Sequence, residues 1–193
     1  DELIQRHSTI MDKYDPEKRI GLMVDEWGTW HNVEPGTNPG FLYQQNTLRD
    51  AMVASLTLHI FHKHCDRVRM ANIAQTVNVL QSMILTQKDG MILTPTYWVF
   101  ELFKNHKNAT MLPVSFDAGS YKMNGEVIQA VSASASKQKN GNITLSLCNV
   151  DPQKSQRIHC KLAGHTIKNV DGRILTAGTL PSHNTFEQPD AVK

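Results

Sequence analysis

The 193-residue sequence predicts an α/β unit followed by an all-β unit, and three observations carry that expectation. Up to about residue 110, short apolar runs ending in polar residues alternate with segments whose apolar positions recur at helical spacing. Beyond it the pattern turns to strand-like alternation, punctuated by Ser, Thr, Asn and Gly. Asn140-Gly141 and Asp171-Gly172 add two hairpin-turn signals. Strands alternating with helices imply a parallel sheet, either open or closed into a barrel, and periodicity does not choose between them. Short strands at the later spacing imply a β-sandwich or jelly roll.

Residues 2–13 have helical character and stop at the turn signal Asp15-Pro16. Residues 19–27 (RIGLMVDEW) form a short apolar run closing on two carboxylates, as expected of a strand buried on both faces. Residues 28–41 carry Pro35, Gly36, Pro39 and Gly40 and read as a long loop, a kind of connection that is often functional. A helix is expected from Gln44 to about His62, with Leu48, Ala51, Met52, Leu56 and Ile60 on its apolar stripe and Arg49 and Asp50 off it. Residues 68–73 read as a second strand, and residues 84–86 and 91–94 as a hairpin about Lys88-Asp89-Gly90. Thr94 as N-cap and Pro95 at the first position start a helix to about His106. In the second unit, strands are expected over 127–136, over the return segment bearing Ile143, Leu145 and Leu147, and over 157–162, 166–170 and 173–176. Residues 182–193 show no strand pattern.

Composition excludes several classes. Lys and Arg total 20 against 18 Asp and Glu, a net charge of +2, with basic residues scattered rather than striped, so no nucleic-acid footprint is present. No apolar run approaches the roughly 20 residues of a membrane-spanning helix. Cys65, Cys148 and Cys160 make neither a disulfide framework nor a zinc signature, and lean towards a reducing, cytoplasmic setting. Asn108-Ala109-Thr110 and Asn142-Ile143-Thr144 match the glycosylation triplet, which arises by chance too often to decide the compartment.

The chemistry concentrates at the end of the first strand. Alternation puts Leu22, Val24 and Glu26 on one face and Met23 and Asp25 on the other, so the two acids are not expected to act as a pair. Glu26 is followed by Trp27, Gly28 and Trp30. A carboxylate among aromatics at a strand's carboxyl end suits a sugar, with indoles meeting C–H faces and the carboxylate the anomeric carbon. The competing reading is a structural acid beside core tryptophans. Asn72 and Gln75, at or just past the second strand, could bind hydroxyls or cap the next segment. His59 and His62 could share a helix face, but without a third ligand at useful spacing they read as core or surface histidines. Cys65 reads as a buried thiol.

An ordered set of segments carries a family likeness. Residues 19–30 (RIGLMVDEWGTW), 34–40 (EPGTNPG), 41–50 (FLYQQNTLRD), 66–79 (DRVRMANIAQTVNV) and 93–97 (LTPTY) resemble the late barrel segment of glycoside hydrolase family 51, the α-L-arabinofuranosidases. The resemblance runs from about Ile20 to Leu112 and continues more weakly into the β-unit. It implies the last two β/α units of a (β/α)8 barrel in residues 1–110, followed over 111–193 by an incomplete jelly roll. It also implies that Glu26 is the catalytic nucleophile, that Trp30 is the aromatic of the sugar subsite, and that Gln75 binds a substrate hydroxyl.

The activity so implied is retaining, exo-acting release of terminal α-L-arabinofuranosyl units from arabinan, arabinoxylan or derived oligosaccharides. No metal or organic cofactor is required, and a homo-oligomer is expected. The family's acid/base glutamate belongs to an upstream strand. Asn124-Gly125-Glu126 lies in the β-unit and is not that motif, so the chain alone is expected to be a fragment without activity. A barrel glycosidase for another glycan, such as an endo-β-glucanase or xylosidase, and a non-catalytic carbohydrate-binding protein are the alternatives.

Overall fold

Residues 1–164 and 166–193 are described in a computed structural model of the chain. Helix α1 (Glu2–Tyr14) ends where Asp15 N–H bonds to Met11 O at 2.8 Å, immediately before Pro16. Strand β1 (Leu22–Trp27) passes through helix α2 (Leu48–Lys63) to strand β2 (Val68–Ile73), and β1 and β2 pair in parallel. This is a βαβ unit. The helix begins four residues later than its periodicity suggests, because Thr47 and Asp50 form a capping box that fixes the start.

One buried guanidinium ties the amino ends together. Arg67 is 1% exposed and its Nη1 lies 2.7 Å from Asp15 Oδ2 and 2.8 Å from Ile20 O. Its Nη2 donates to Asp15 O at 2.9 Å and pairs with Asp12. The Ile20 N–H and the Arg67 guanidinium, both bonding to Asp15, hold its carboxyl below the usual carboxylate range.

The core lies on the helix side of the parallel pair. Trp27, Ala51, Ala54, Phe61, Val99 and Phe103 are buried together, with Leu22, Val24, Val68, Ala71 and Ile73 packed against them. Trp27 meets Phe61 edge-on at 5.4 Å and stacks on Phe100 at 6.2 Å. The other face of the strands carries the exposed Met23 and Met70, so within this chain β1 is covered on one face rather than two.

Strands β3 (Ile84–Gln87) and β4 (Gly90–Leu93) form the expected antiparallel hairpin. Helix α3 (Pro95–Phe103) follows, continued by a 3-10 turn over Lys104–His106. Thr94 holds the N-cap position, but its hydroxyl donates to Ser82 O at 2.8 Å instead of capping.

The second unit contains β5 (Thr110–Leu112), β6 (Ser120–Met123), β7 (Glu126–Gln129), β8 (Val131–Lys137) and β9 (Ile143–Asn149). Antiparallel β5-β8-β9 makes a three-stranded sheet, and β6-β7 a separate ribbon. Asn140-Gly141 does turn the chain between β8 and β9, with Gly141 at φ +90° where a side chain would be strained.

The expected strands over 157–162, 166–170 and 173–176 are not formed. Alternation there finds no ladder to join, and Val170 and Ile174 stand largely exposed. The start of the strandless tail and the residues just before it nonetheless dock onto the first unit: Leu48 N–H bonds to Ser182 O at 2.9 Å and Arg49 N–H to Leu180 O at 3.1 Å. Those contacts satisfy two amides at the start of α2.

Helix α2 is covered on two sides, which is why no single apolar stripe describes it. Its far side meets the sheet through histidines and serines. His59 Nδ1 lies 2.8 Å from Ser132 Oγ and its Nε2 3.0 Å from Ser146 Oγ. His62 Nδ1 is 2.8 Å from Ser134 Oγ. His106 bridges Ser136 and Ser146 at 2.8 and 3.0 Å. The alternating serines of β8 thus form a polar seam, while Leu145 and Leu147 of β9 face outward.

Burial, reinforced by the neighbouring histidines, lowers His59 and His106 to about 4 from 6.5. A lowered histidine pKa means that the unfolded chain takes up protons first. The stability of this seam is therefore complete above pH 6.5 and is lost as pH falls towards 4. Thermal melts should show Tm falling by on the order of 5 °C between pH 7 and pH 4.5, and His59→Gln should flatten that slope. An unchanged slope in the variant would assign the pH dependence elsewhere.

Candidate functional site at the carboxyl ends of two parallel strands

Parallel strands end on the same side, so β1 and β2 share one rim. Trp27 pairs with Ile73, and Ala74 N–H donates to Trp27 O at 2.9 Å. Glu26 is the penultimate residue of β1, Trp30 lies three residues past it, and Gln75 two residues past β2. The structure brings all three to this rim. Within this chain each is exposed, Trp30 at 65%. Asn72 is exposed near the end of β2, and the Ala74–Gln75 peptide is cis.

One expectation about the rim is overturned. Between Val24 and Trp27 the register slips, with three steps on β1 against two from Ala71 to Ile73 on β2. That is a bulge. Trp27 consequently joins Leu22 and Val24 in the core, and Glu26 does not share their face. Asp25 and Glu26 are both exposed, not divided between the two sides. Strand arithmetic therefore does not separate the two acids.

The loop after β1 is held by buried polar groups that sequence reasoning did not single out. Asp50 lies off the apolar stripe expected of α2, yet it is 0% exposed. Its carboxylate accepts from Thr47 N at 2.8 Å, Thr47 Oγ1 at 3.0 Å, Thr29 Oγ1 at 3.0 Å and Arg49 Nη2 at 3.0 Å. The available signal was Thr47 three residues ahead of an acid before an apolar run. Gln44 accepts from His31 N–H at 2.8 Å through Oε1 and donates to Thr29 O at 3.2 Å through Nε2. Glu34 Oε1 accepts from Gln45 N–H at 2.9 Å.

Gly28 permits a close approach at the strand end. A Cβ there would stand 1.9 Å from Gln81 Nε2, and Gln81 is fully buried.

Other expected features lie away from the rim. Both ring nitrogens of His59 and of His106, and Nδ1 of His62, lie within hydrogen-bond reach of serine hydroxyls in the seam. Cys65 is exposed, contrary to expectation, because it sits in the turn after α2; Cys148 is the buried thiol. Two concavities of about 310 and 340 Å³ lie beside Trp98 and Arg173 and beside His62 and Lys107 respectively, and neither includes a rim residue. Chemically, the rim offers a carboxylate, an indole face and an amide on adjacent strand ends. That is a set suited to a polyhydroxylated ring.

The fold and rim define a βαβ unit joined to a sheet-rich module, with candidate chemistry at the carboxyl ends of its strands. A family model described as the α-L-arabinofuranosidase C-terminal domain matches residues 25–193, and the chain belongs to that family. It is 53% identical over 194 residues to the intracellular exo-α-L-arabinofuranosidase of Bacteroides ovatus, an alignment covering 100% of this chain and 38% of that protein. The crystal structure of the GH51 arabinofuranosidase from Xanthomonas axonopodis pv. citri superposes with a TM-score of 0.97 at 53% identity, over 100% of this chain and 39% of that one. The α-L-arabinofuranosidase of Thermotoga maritima in complex with arabinose matches at a TM-score of 0.82 and 24% identity, over 100% of this chain and 42% of that one, a likeness of fold. The chain spans about two fifths of the length of these relatives.

Proposed function

We propose that this chain is the part of a retaining, exo-acting α-L-arabinofuranosidase that supplies its nucleophile. On this reading, residues 1–110 are the last two β/α units of a (β/α)8 barrel, and residues 111–193 belong to a jelly-roll module. The remaining barrel strands come from the length that the relatives have and this chain does not span. The observation that carries the reading is the gathering of Glu26, Trp30 and Gln75 at the carboxyl ends of two adjacent parallel strands. In barrel enzymes this is the end that bears the chemistry.

Glu26 attacks the anomeric carbon of a terminal arabinofuranosyl unit, and the glycosidic C–O bond breaks as a glutamate from another strand protonates the leaving oxygen. The resulting ester is hydrolysed by water, with that glutamate now acting as base. Trp30 offers its exposed indole face to the sugar's C–H groups, and Gln75 bonds a ring hydroxyl. A second carboxyl about 5–5.5 Å from Glu26 is what retention of configuration requires. The substrates are arabinan, arabinoxylan or oligosaccharides derived from them. Neither a metal nor an organic cofactor enters these steps. A homo-oligomer and an intracellular location complete the proposal, the latter supported by the name of the Bacteroides ovatus relative.

The test is hydrolysis of an aryl α-L-arabinofuranoside by the full-length protein, followed by NMR. The first-formed sugar should keep the substrate's anomeric configuration. Inversion would remove the nucleophile role from Glu26, and preference for an aryl β-glucoside or β-xyloside would move the substrate to another glycan.

A further inference from the structure

We propose that Gln44 is the positioning residue for Trp30, and so sets how tightly the sugar is held; this rests on the reading of Trp30 as the sugar platform. Within this chain Trp30 itself is 65% exposed, so the backbone on either side of it has to fix its place. Its two chain neighbours are gripped by one side chain. Gln44, 2% exposed, accepts from His31 N–H at 2.8 Å and donates to Thr29 O at 3.2 Å. A single amide thus pairs with the backbone on both sides of Trp30 as a neighbouring strand would.

The Gln44 amide is buried, so neither of its bonds to the backbone is exchanged cheaply for water. Thr29 is fixed a second time through its hydroxyl to the buried Asp50 carboxylate at 3.0 Å. An exposed indole on an irregular loop would otherwise sample several positions, and a platform an ångström out of place loses its stacking. Gln44 comes from the far end of the same loop, four residues before α2 begins. The loop therefore closes on itself around the aromatic.

The test is a double-mutant cycle in the full-length enzyme on an aryl α-L-arabinofuranoside, using Gln44→Met, Trp30→Ala and the pair. Gln44→Met keeps the length of the side chain and removes both hydrogen bonds. It should lower kcat/KM about tenfold, as the loss of two such bonds implies, mainly through KM. In the Trp30→Ala background the same substitution should cost less than twofold, because the group it positions is gone.

A merely structural role would cost the same in both backgrounds, and that result overturns the proposal. If Trp30→Ala alone leaves kcat/KM unchanged, the platform reading fails and carries this proposal with it. Should Gln44→Met not fold, hydrogen exchange on the wild type decides. The His31 amide should exchange at least tenfold slower than in an unstructured peptide. Exchange at the unstructured rate would show that the clamp does not hold.

Discussion

Replacing Glu26 by glycine in the full-length enzyme should lower kcat on an aryl α-L-arabinofuranoside by on the order of 10⁴-fold or more, the scale of losing a covalent nucleophile. The fold should survive. Within this chain Glu26 is exposed and lies outside the core that anchors its strand through Trp27, so removing its carboxylate takes nothing from that core. An unchanged melting temperature with lost turnover therefore separates chemistry from unfolding. Added azide should restore turnover by entering the space the carboxylate leaves, giving a glycosyl azide of configuration opposite to the substrate. Turnover that persists in Glu26→Gly would shift the nucleophile role to Asp25, which is also exposed beside the bulge.

Arg67→Met should produce the largest loss of stability, a fall in Tm on the order of 10 °C. The guanidinium serves the carboxylate and carbonyl of Asp15, the carbonyl of Ile20 and the carboxylate of Asp12. Removing it leaves the Asp15 carboxylate, itself 5% exposed, with only the largely exposed Arg19 at 3.8 Å as a cation. The same substitution unties the end of α1 from the starts of both strands. Thermal denaturation measures this directly, and Asp12→Asn should cost far less because Asp12 is half-open to solvent. A shift under about 2 °C for Arg67→Met would show that the cluster contributes little net stability, as some buried ion pairs do.

The elements that could be read in the sequence were those set by local signals. The run closing on Trp27 became β1, Lys88-Asp89-Gly90 marked a real hairpin, and Asn140-Gly141 marked another. Glu26, Trp30 and Gln75 did come to one rim, because residues near the ends of parallel neighbours must do so.

What escaped was set by partners distant in sequence. The bulge at Asp25-Glu26 arises from pairing with β2 and leaves no local mark, so a strict period of two placed Glu26 on the wrong face. The alternating serines of β8 were visible, but their pairing with His59, His62 and His106 depends on how α2 crosses the sheet. Gln44 looked like the first turn of a helix, and only the fold of its loop turns it back onto Thr29 and His31. Residues 157–176 carry alternation without a ladder, and alternation alone does not make a strand.

The central claim is that Glu26 forms a bond to the sugar, and trapping that bond tests it most directly. An aryl α-L-arabinofuranoside fluorinated at C2 should glycosylate the full-length enzyme, releasing the phenol, and the resulting ester should turn over slowly, since the fluorine destabilises the oxocarbenium-like transition state. After proteolysis, mass spectrometry should find one added fluoro-sugar on the peptide containing residues 20–30, with fragmentation placing it on Glu26. A label on Asp25, on a peptide outside this strand, or on no peptide while the substrate is still being turned over would contradict it.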